Sequence, residues 1–202
     1  LLPLRSALEA AARMGAKAVQ VDATGPLAPD ALGGTGRREF RNLLRSFDLD
    51  LAALNVPIRR GLDVADDLEP RLDRVRKSMQ LAFDLGARRA VVPCPKLPDD
   101  AAAPRESCRK GIDPIPSLLA LGAYGDRVGC LVALEVGYDP GQKVKEYFGG
   151  FDVGSLKVTF DPANFMLHGH DPLANLTPLE GLVAHVHARD AAGVPTTDPD
   201  AF

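Results

Sequence analysis

Helical and strand-like patterns of hydrophobic positions alternate along the whole chain. The clearest helical pattern covers residues 68–85, where Leu68, Leu72 and Val75 recur every three or four positions on one face. Between the helical segments lie short apolar runs, such as residues 131–134, which are typical of buried strands. The alternation therefore predicts a parallel sheet that is covered by helices.

The predicted elements are short and closely spaced. Helices are predicted over residues 5–14, 37–47, 68–85, 115–124 and 141–148, with a further short segment over 173–179. Strands are predicted over residues 18–22, 51–56, 90–92, 131–135, 156–160 and 182–186. The proline-rich residues 93–116 are predicted to be irregular before the helix that begins near their end.

Each predicted strand ends at a polar or otherwise special residue. These residues are Asp22, Asn55, Cys94, Glu135, Asp161 and His187. Short strands that end in this way favour a barrel over a broad open sheet, and in a parallel α/β barrel the carboxyl ends of the strands converge on one mouth. We therefore predict an α/β fold, with a single (β/α)8 TIM-type barrel domain over residues 1–202.

The barrel is expected to be incomplete in this chain. A sheet of only six strands would have two unpaired edges. The chain begins without a methionine, and residues 193–200 have the composition of an open loop. We expect the first and last strands of the barrel to be missing, so that the chain is a fragment of the domain.

Three of the strand ends carry side chains that bind metals, and they are evenly spaced. Glu135, Asp161 and His187 follow one another at intervals of 26 residues, about the length of one β/α repeat. Two carboxylates and an imidazole that meet at the mouth of a barrel would suit a divalent metal. Considered singly, Glu135 could equally be a surface carboxylate, and Asp161 could begin an Asp-Pro turn or cap a helix.

Polar residues beside these strand ends are candidates for binding a substrate. Asn164 follows Asp161 by three residues and offers a neutral hydrogen-bond donor and acceptor, and Asn55 ends the second predicted strand. His185 lies two residues before His187, so both side chains are on the same side of the strand. A histidine at that position could also be a hydrogen-bonded core residue.

Two charged residues follow the last predicted strand. Arg189 is a candidate to bind an anionic or hydroxylated substrate, although most arginines in such positions are solvated. Asp190 could accept a hydrogen bond from the second ring nitrogen of His187, as carboxylates beside metal ligands often do, or it could cap the following loop.

Composition and charge exclude several classes of protein. The formal net charge of −3, without a long run of lysine or arginine, provides no field that would attract nucleic acid. No stretch of about 18 uncharged apolar residues predicts a membrane span. Cys94, Cys108 and Cys130 match neither a zinc site nor a disulfide framework, so we expect a reducing cytoplasm. No Gly-x-Gly-x-x-Gly follows the first strand, which counts against a nucleotide-binding fold.

Several strings of the sequence resemble a known superfamily. They are residues 134–136 (Leu-Glu-Val), residues 158–164 (Val-Thr-Phe-Asp-Pro-Ala-Asn) and residues 183–190 (Val-Ala-His-Val-His-Ala-Arg-Asp), with a weaker match over residues 15–22. They resemble the xylose-isomerase-like TIM-barrel superfamily, which contains sugar phosphate isomerases and epimerases, ketose 3-epimerases and the related AP endonucleases. The resemblance covers about residues 4–190.

The resemblance implies one divalent metal at the barrel mouth. Its ligands would be Glu135, Asp161 and His187, together with an acidic residue of an eighth strand that has no counterpart in this chain. Mn²⁺, Co²⁺ or Mg²⁺ would suit these oxygen and nitrogen ligands, and Zn²⁺ stays open. Asn164 stands where several relatives carry a histidine.

The leading functional hypothesis is isomerisation or epimerisation of a sugar or sugar phosphate, with Glu135 moving a proton while an enediolate forms. AP-endonuclease-like hydrolysis of abasic DNA is a second hypothesis. It normally needs more histidines on earlier strands, and all four histidines here follow residue 167. A non-catalytic sugar-binding barrel is a third, because a fold does not determine a function. The sequence leaves open the identity of the sugar and whether the protein is a homo-oligomer.

Overall fold

A curled parallel sheet forms the centre of the molecule. The computed structural model describes residues 3–98 and 112–192. Within these residues six strands pair in their order along the chain, and every pairing is parallel. They are β1 (Ala18–Asp22), β2 (Asp50–Asn55), β3 (Arg89–Pro93), β4 (Leu131–Glu135), β5 (Leu156–Phe160) and β6 (Val183–Val186). This arrangement confirms the prediction of an incomplete (β/α)8 barrel.

Helices connect the strands and cover the outer face of the sheet. They are α1 (Leu4–Arg13), α2 (Gly34–Ser46), α3 (Leu68–Leu85), α4 (Ile115–Val128), α5 (Gly141–Gly149), α6 (Pro162–Leu167) and α7 (Pro172–Leu176). Helix α3 has the predicted bounds, whereas α2 begins three residues earlier than predicted. Helix α6 was not predicted, because its 6 residues are too few to show a periodic stripe of apolar side chains.

Some sequence predictions fall outside the described residues. Cys108, most of the predicted irregular stretch and the predicted loop over residues 193–200 belong to this group. Cys94 and Cys130 are both free thiols. Among the helices that the structure describes, none is long and apolar enough to cross a membrane.

Alternation of side chains along the strands separates two sets of buried residues. Leu134 and its neighbours on one side of the sheet belong to the large hydrophobic core beneath the helices. Ala53, Val91 and Ala133 form a separate buried cluster on the other side, inside the curl of β2, β3 and β4. Glu135 follows Ala133 by two residues and therefore faces the same interior. The mouth of the interior is where the strand-end side chains meet.

The sheet curls far enough to bring its two outer strands together at the carboxyl ends. Nε2 of His187, directly after β6, lies 3.2 Å from Oε1 of Gln20 on β1. Among the described residues, β1 and β6 form no strand pairing with each other, so side chains bridge the gap between these edges. The curl therefore creates a shared rim even though the barrel is incomplete.

Candidate metal centre

Three side chains converge where β4, β5 and β6 end. Glu135 is the last residue of β4, and Asp161 and His187 directly follow β5 and β6. One ligand atom of each residue lies within 4.8 Å of the other two. Nδ1 of His187 is 3.2 Å from Oδ2 of Asp161 and 3.6 Å from Oε1 of Glu135. The evenly spaced residues of the sequence thus meet at the carboxyl ends of adjacent parallel strands.

Asp161 is the buried anchor of this cluster. Its side chain is fully buried, and Oδ1 accepts a hydrogen bond from the backbone N–H of Asn164 at 3.2 Å, which caps α6. Oδ2 accepts from Nε of Arg189 at 2.7 Å and from Nδ1 of His187. Burial acts to raise the pKa of Asp161, but the hydrogen bonds from His187, Arg189 and Asn164 outweigh it, so the pKa lies below its ordinary value.

Glu135 is held by two donors and is more accessible. Its Oε1 accepts from Nδ2 of Asn164 at 2.9 Å and from a terminal nitrogen of Arg189 at 3.3 Å. The same guanidinium donates to Oδ1 of Asn164 at 2.9 Å, so Arg189 and Asn164 are also joined to each other. With its side chain 19% exposed, Glu135 can be reached from the cavity beside it, whereas Asp161 cannot.

His187 carries a proton in this arrangement. Hydrogen bonding to the carboxylates of Asp161 and Glu135 raises the pKa of His187 to about 9, even though burial opposes the shift. Its other ring nitrogen faces the side-chain oxygen of Gln20. The imidazolium and the guanidinium of Arg189 therefore supply the positive charge that the two carboxylates require.

The donor set fits a divalent metal. Two carboxylates and an imidazole are a mixed oxygen and nitrogen set that suits Mn²⁺, Co²⁺ or Mg²⁺, with Zn²⁺ also compatible. In the structure the two carboxylates are paired with the positive groups of His187 and Arg189. A metal would take over that role, and His187 would have to release its proton to become a ligand.

Two cavities flank the cluster and share Glu135 and Arg189 in their walls. One has a volume of about 290 Å³ and is also lined by Asn164. The other has a volume of about 560 Å³ and is also lined by Asn55 and His185. All the predicted substrate-binding residues thus line a cavity beside the cluster, and their roles stay predictions.

His185 and Asn55 stand in different environments within the larger cavity. The His185 ring packs edge to face on the His187 ring with a centroid distance of 5.3 Å, and its pKa is lowered, chiefly by burial. The amide of Asn55 donates to a carboxylate oxygen of Asp22 at 2.7 Å. Burial therefore favours the neutral form of His185, and Asn55 is tied to the neighbouring strand.

Asp190 does not contact His187, contrary to one of the two alternatives considered from the sequence. Its carboxylate accepts a hydrogen bond from the backbone of Ala191, so it caps its own loop. The physical reason is the tight turn in which the N–H of Arg189 donates to the carbonyl of His187, which leaves Asp190 exposed. The ring of His187 is oriented by Asp161 and Gln20 instead.

Sequence reasoning missed two residues that belong to this region. Gln20 orients His187, and its only signal was a polar residue between two valines of a predicted strand. Tyr138 lines the smaller cavity together with His168, and the two rings pack at a tilt of 45° with centroids 4.2 Å apart. Tyr138 does not lie at a strand end, so no strand pattern could have indicated it.

Cys94 lines the smaller cavity but is not a nucleophile in this structure. Burial, followed by the nearby charges of Asp139 and Asp63, raises the pKa of its thiol well above the ordinary value. A thiol with a raised pKa stays protonated and reacts slowly. The surroundings of Cys94 therefore disfavour the thiolate that a nucleophile requires.

Gly137 allows the chain after β4 to approach α6 closely. Its φ of +147° is rarely adopted by other residues, and a Cβ here would lie 2.4 Å from Cβ of Asn164. Because both clashing segments belong to the cluster, we expect Gly137→Ala to lower the free energy of unfolding by about 1–3 kcal/mol. Urea unfolding followed by circular dichroism measures the change.

The matched control is Gly149→Ala at the exposed end of α5. A Cβ at Gly149 would meet no atom within 4 Å, so we expect that variant to be unchanged or slightly stabilised. An equal loss of stability in the two variants would contradict a specific close approach at Gly137.

Comparisons with known proteins agree with this architecture. A family model described as xylose isomerase-like TIM barrel matches residues 8–200. A comparison with curated proteins found no match. Among solved structures, a xylose isomerase domain protein from Planctomyces limnophilus is similar, with a TM-score of 0.80 and 19% identity over 93% of this chain and 68% of that one.

Two further solved structures are similar in the same way. A D-psicose 3-epimerase from Clostridium cellulolyticum H10, solved with D-tagatose, has a TM-score of 0.74 and 12% identity over 93% of this chain and 68% of that one. A xylose isomerase-like TIM barrel protein from Mycobacterium smegmatis, solved in complex with magnesium, has a TM-score of 0.69 and 16% identity over 91% of this chain and 65% of that one. At these identities the likeness shows the fold.

Proposed function

The chain belongs to the xylose isomerase-like TIM-barrel family, and from this premise we propose that it is a metal-dependent sugar or sugar-phosphate isomerase or epimerase. The observation that carries the proposal is the convergence of Glu135, Asp161 and His187 within 4.8 Å at the barrel mouth. Family relatives whose structures are similar include a D-psicose 3-epimerase and a protein solved with magnesium. Both facts support the proposal without naming the substrate.

In this proposal Glu135, Asp161 and His187 hold the metal. When bound, the metal would polarise the carbonyl and hydroxyl oxygens of the substrate and stabilise negative charge on them. The N–H of Asn164 holds Oδ1 of Asp161 in place, and Oδ2, which now contacts Arg189 and His187, would have to exchange these contacts for the metal. The ring of His187 is fixed by Asp161 on one side and by Gln20 on the other.

Glu135 is the residue proposed to move the proton. Its carboxylate borders both cavities and is the more exposed of the two, so a sugar carbon can reach it. Asn164 donates to Oε1 at 2.9 Å, which orients the carboxylate while its other oxygen stays available to a substrate. A positioned carboxylate that takes a proton beside a carbonyl and returns it to the neighbouring carbon interconverts isomers through an enediolate.

Substrate positioning is assigned to the polar side chains around the two cavities. Arg189 and Asn164 border the smaller cavity, and His185 and Asn55 border the larger one. Their amides, imidazole and guanidinium are the groups that commonly bind sugar hydroxyls and carbonyls. We propose that a small sugar or sugar phosphate extends from the cluster along this rim.

A non-catalytic barrel is the alternative that one observation favours. Arg189 bonds to both carboxylates of the cluster, at 2.7 Å to Asp161 and 3.3 Å to Glu135. A guanidinium that held this position permanently would neutralise the carboxylates and block metal binding.

DNA hydrolysis receives no comparable support, because the described residues offer two carboxylates and one histidine to the cluster and the protein is acidic.

The deciding experiment is exchange of a substrate C–H proton with solvent. The protein is incubated in D₂O with a panel of ketoses and ketose phosphates, and deuterium incorporation is followed by NMR in the presence of each candidate metal. Metal-dependent exchange with at least one substrate supports the proposal. Exchange that never appears with any metal favours the non-catalytic barrel.

Removing the metal should abolish this exchange. We expect dialysis against a chelator to eliminate deuterium incorporation and added Mn²⁺, Co²⁺ or Mg²⁺ to restore it, because the uncatalysed proton transfer lacks charge stabilisation. The bound metal should also raise the melting temperature, since a ligand that binds only the folded state stabilises it by about 2.7 kcal/mol at 100 times its Kd. Activity that persists fully in chelator would contradict a metal-dependent mechanism.

A further inference from the structure

A third cavity, the arginine cavity, lies beside the carboxyl ends of β1 and β2. Its volume is about 440 Å³. The polar residues in its wall are Thr24, Arg59, Arg60, Asp67, Arg71 and Arg74. They come from the loop after β1, the loop after β2 and the first turns of α3. Four guanidiniums thus line one cavity at the same end of the barrel as Glu135, Asp161 and His187.

Most of this positive charge is not neutralised by carboxylates. The terminal nitrogens of Arg71 donate to the backbone carbonyls of Val64 and Asp66, which anchor the guanidinium without cancelling its charge. The only hydrogen bond of Arg74 within the described residues is a long one, 3.5 Å, to the carbonyl of Ala23. Neutral acceptors therefore hold both side chains in place.

Of the other two arginines, Arg60 forms an ion pair and Arg59 does not, among the described residues. Arg60 pairs with Asp66 at 3.5 Å in an exposed ion pair. Arg59 is exposed and forms no ion pair with any described residue. Arg59, Arg71 and Arg74 together thus face the single carboxylate of Asp67, and the cavity keeps a surplus of positive charge.

Two other basic residues on the surface of α3 form ion pairs with carboxylates. Arg76 pairs with Glu69, and Lys77 pairs with both Asp73 and Asp30. The surplus charge is therefore confined to the cavity side of the helix, although the protein as a whole is acidic. Unpaired guanidiniums gathered around a cavity indicate an anionic ligand.

The arginine cavity is adjacent to the proposed substrate site. Asn55, the last residue of β2, lines the cavity that contains Glu135 and His187. Pro57, two residues further along the chain, lines the arginine cavity, so residues 55–57 connect the walls of the two cavities. A ligand that extends from Glu135 along the larger cavity to Asn55 would have its far end beside the arginine cavity.

We propose that the arginine cavity binds the phosphate group of a sugar phosphate substrate. This inference rests on the proposed function and specifies its substrate class. A phosphate monoester carries close to two negative charges and three oxygens, which match several guanidiniums better than a single carboxylate would. Arg59 and Arg74 are exposed and contribute charge, while Arg71 also holds the loop after β2 in place.

The test measures phosphate binding in the metal-free protein. Isothermal titration calorimetry with inorganic phosphate, D-fructose 6-phosphate and D-fructose compares the wild type with Arg59→Gln and Arg74→Gln. The matched control is Arg76→Gln, which removes a guanidinium from the same helix but outside the cavity. We expect each cavity variant to weaken binding of both phosphate compounds about tenfold, the loss of one charge-assisted hydrogen bond, and Arg76→Gln to leave it unchanged.

Competition between the ligands decides whether the phosphate group belongs to the substrate. Inorganic phosphate and D-fructose 6-phosphate should exclude each other, and D-fructose should bind much more weakly. The assignment is overturned if neither phosphate compound binds, if the cavity variants bind like Arg76→Gln, or if inorganic phosphate binds without displacing the sugar phosphate.

The experiment separates this inference from the proposed function. Because binding is measured without metal, it does not depend on proton transfer at Glu135. A protein that binds phosphate at the arginines but never exchanges a substrate proton would refute the isomerase or epimerase and leave the anion site intact. Exchange with ketose phosphates that is insensitive to both Arg59→Gln and Arg74→Gln would refute the anion site and leave the enzyme intact.

Discussion

Replacing Glu135 with glutamine should reduce isomerase or epimerase turnover by about 10²–10⁴-fold, the usual contribution of a positioned general base. Glutamine keeps the shape of the side chain and its acceptor oxygen, so the contacts from Asn164 and Arg189 can persist. It removes the negative charge that is proposed to hold the metal and the oxygen that is proposed to take the proton. The effect should therefore fall on the chemistry and not on the fold.

Proton exchange into the substrate, with the melting temperature as a check on folding, measures the effect of Glu135→Gln. Glu180→Gln is the matched control, because Glu180 is exposed and lies away from the cluster. His170→Asn is a second control, in the loop after α6. Both controls should keep nearly full activity, and exchange that survives in Glu135→Gln would exclude Glu135 as the base.

Replacing Asp161 with alanine should lower the free energy of unfolding of the metal-free protein by about 3 kcal/mol. The side chain is fully buried and satisfies the N–H of Asn164, the ring of His187 and the guanidinium of Arg189. Its loss removes a helix cap and leaves two positive groups with fewer acceptors.

Asp171 provides a close control for this measurement. It also precedes a proline and caps a short helix, by accepting from the N–H of Leu173, but it is exposed and has no charged partner among the described residues. Asp171→Ala should therefore cost only about 0.5–1 kcal/mol. Urea unfolding of the two variants isolates the contribution of His187 and Arg189, and equal losses would show that these contacts add nothing to stability.

Local patterns in the sequence predicted most of the elements and the centre of the site. Helix α3 has the bounds that its apolar stripe indicated, and the strands begin and end within two residues of the predicted positions. The intervals of 26 residues also identified Glu135, Asp161 and His187. These features were readable because periodicity and strand-end position depend only on residues that are near in sequence.

Pairing between strands was decided by tertiary structure. Glu135 pairs with Thr159, so Asp161 lies two residues further along its strand, whereas Thr159 pairs with His185 and keeps Asp161 level with His187. Equal spacing in sequence therefore corresponds to unequal steps in the sheet. Register depends on how whole strands tilt and pack, which no local pattern records.

Contacts between residues that are distant in sequence show most clearly what the tertiary structure adds to the local patterns. Gln20 and His187 are 167 positions apart and meet only because the sheet curls. The residues of the arginine cavity come from a loop and a helix whose charges look ordinary in the sequence. The surplus of positive charge arises because these arginines line one cavity and because Arg71 donates to neutral carbonyl oxygens instead of to carboxylates. The sequence determined the elements, the family and the three strand-end residues of the candidate metal centre. The tertiary structure decided which charged side chains at the barrel mouth are paired and which stay unpaired. The reason is that electrostatic interactions depend on distance in space and not on distance along the chain.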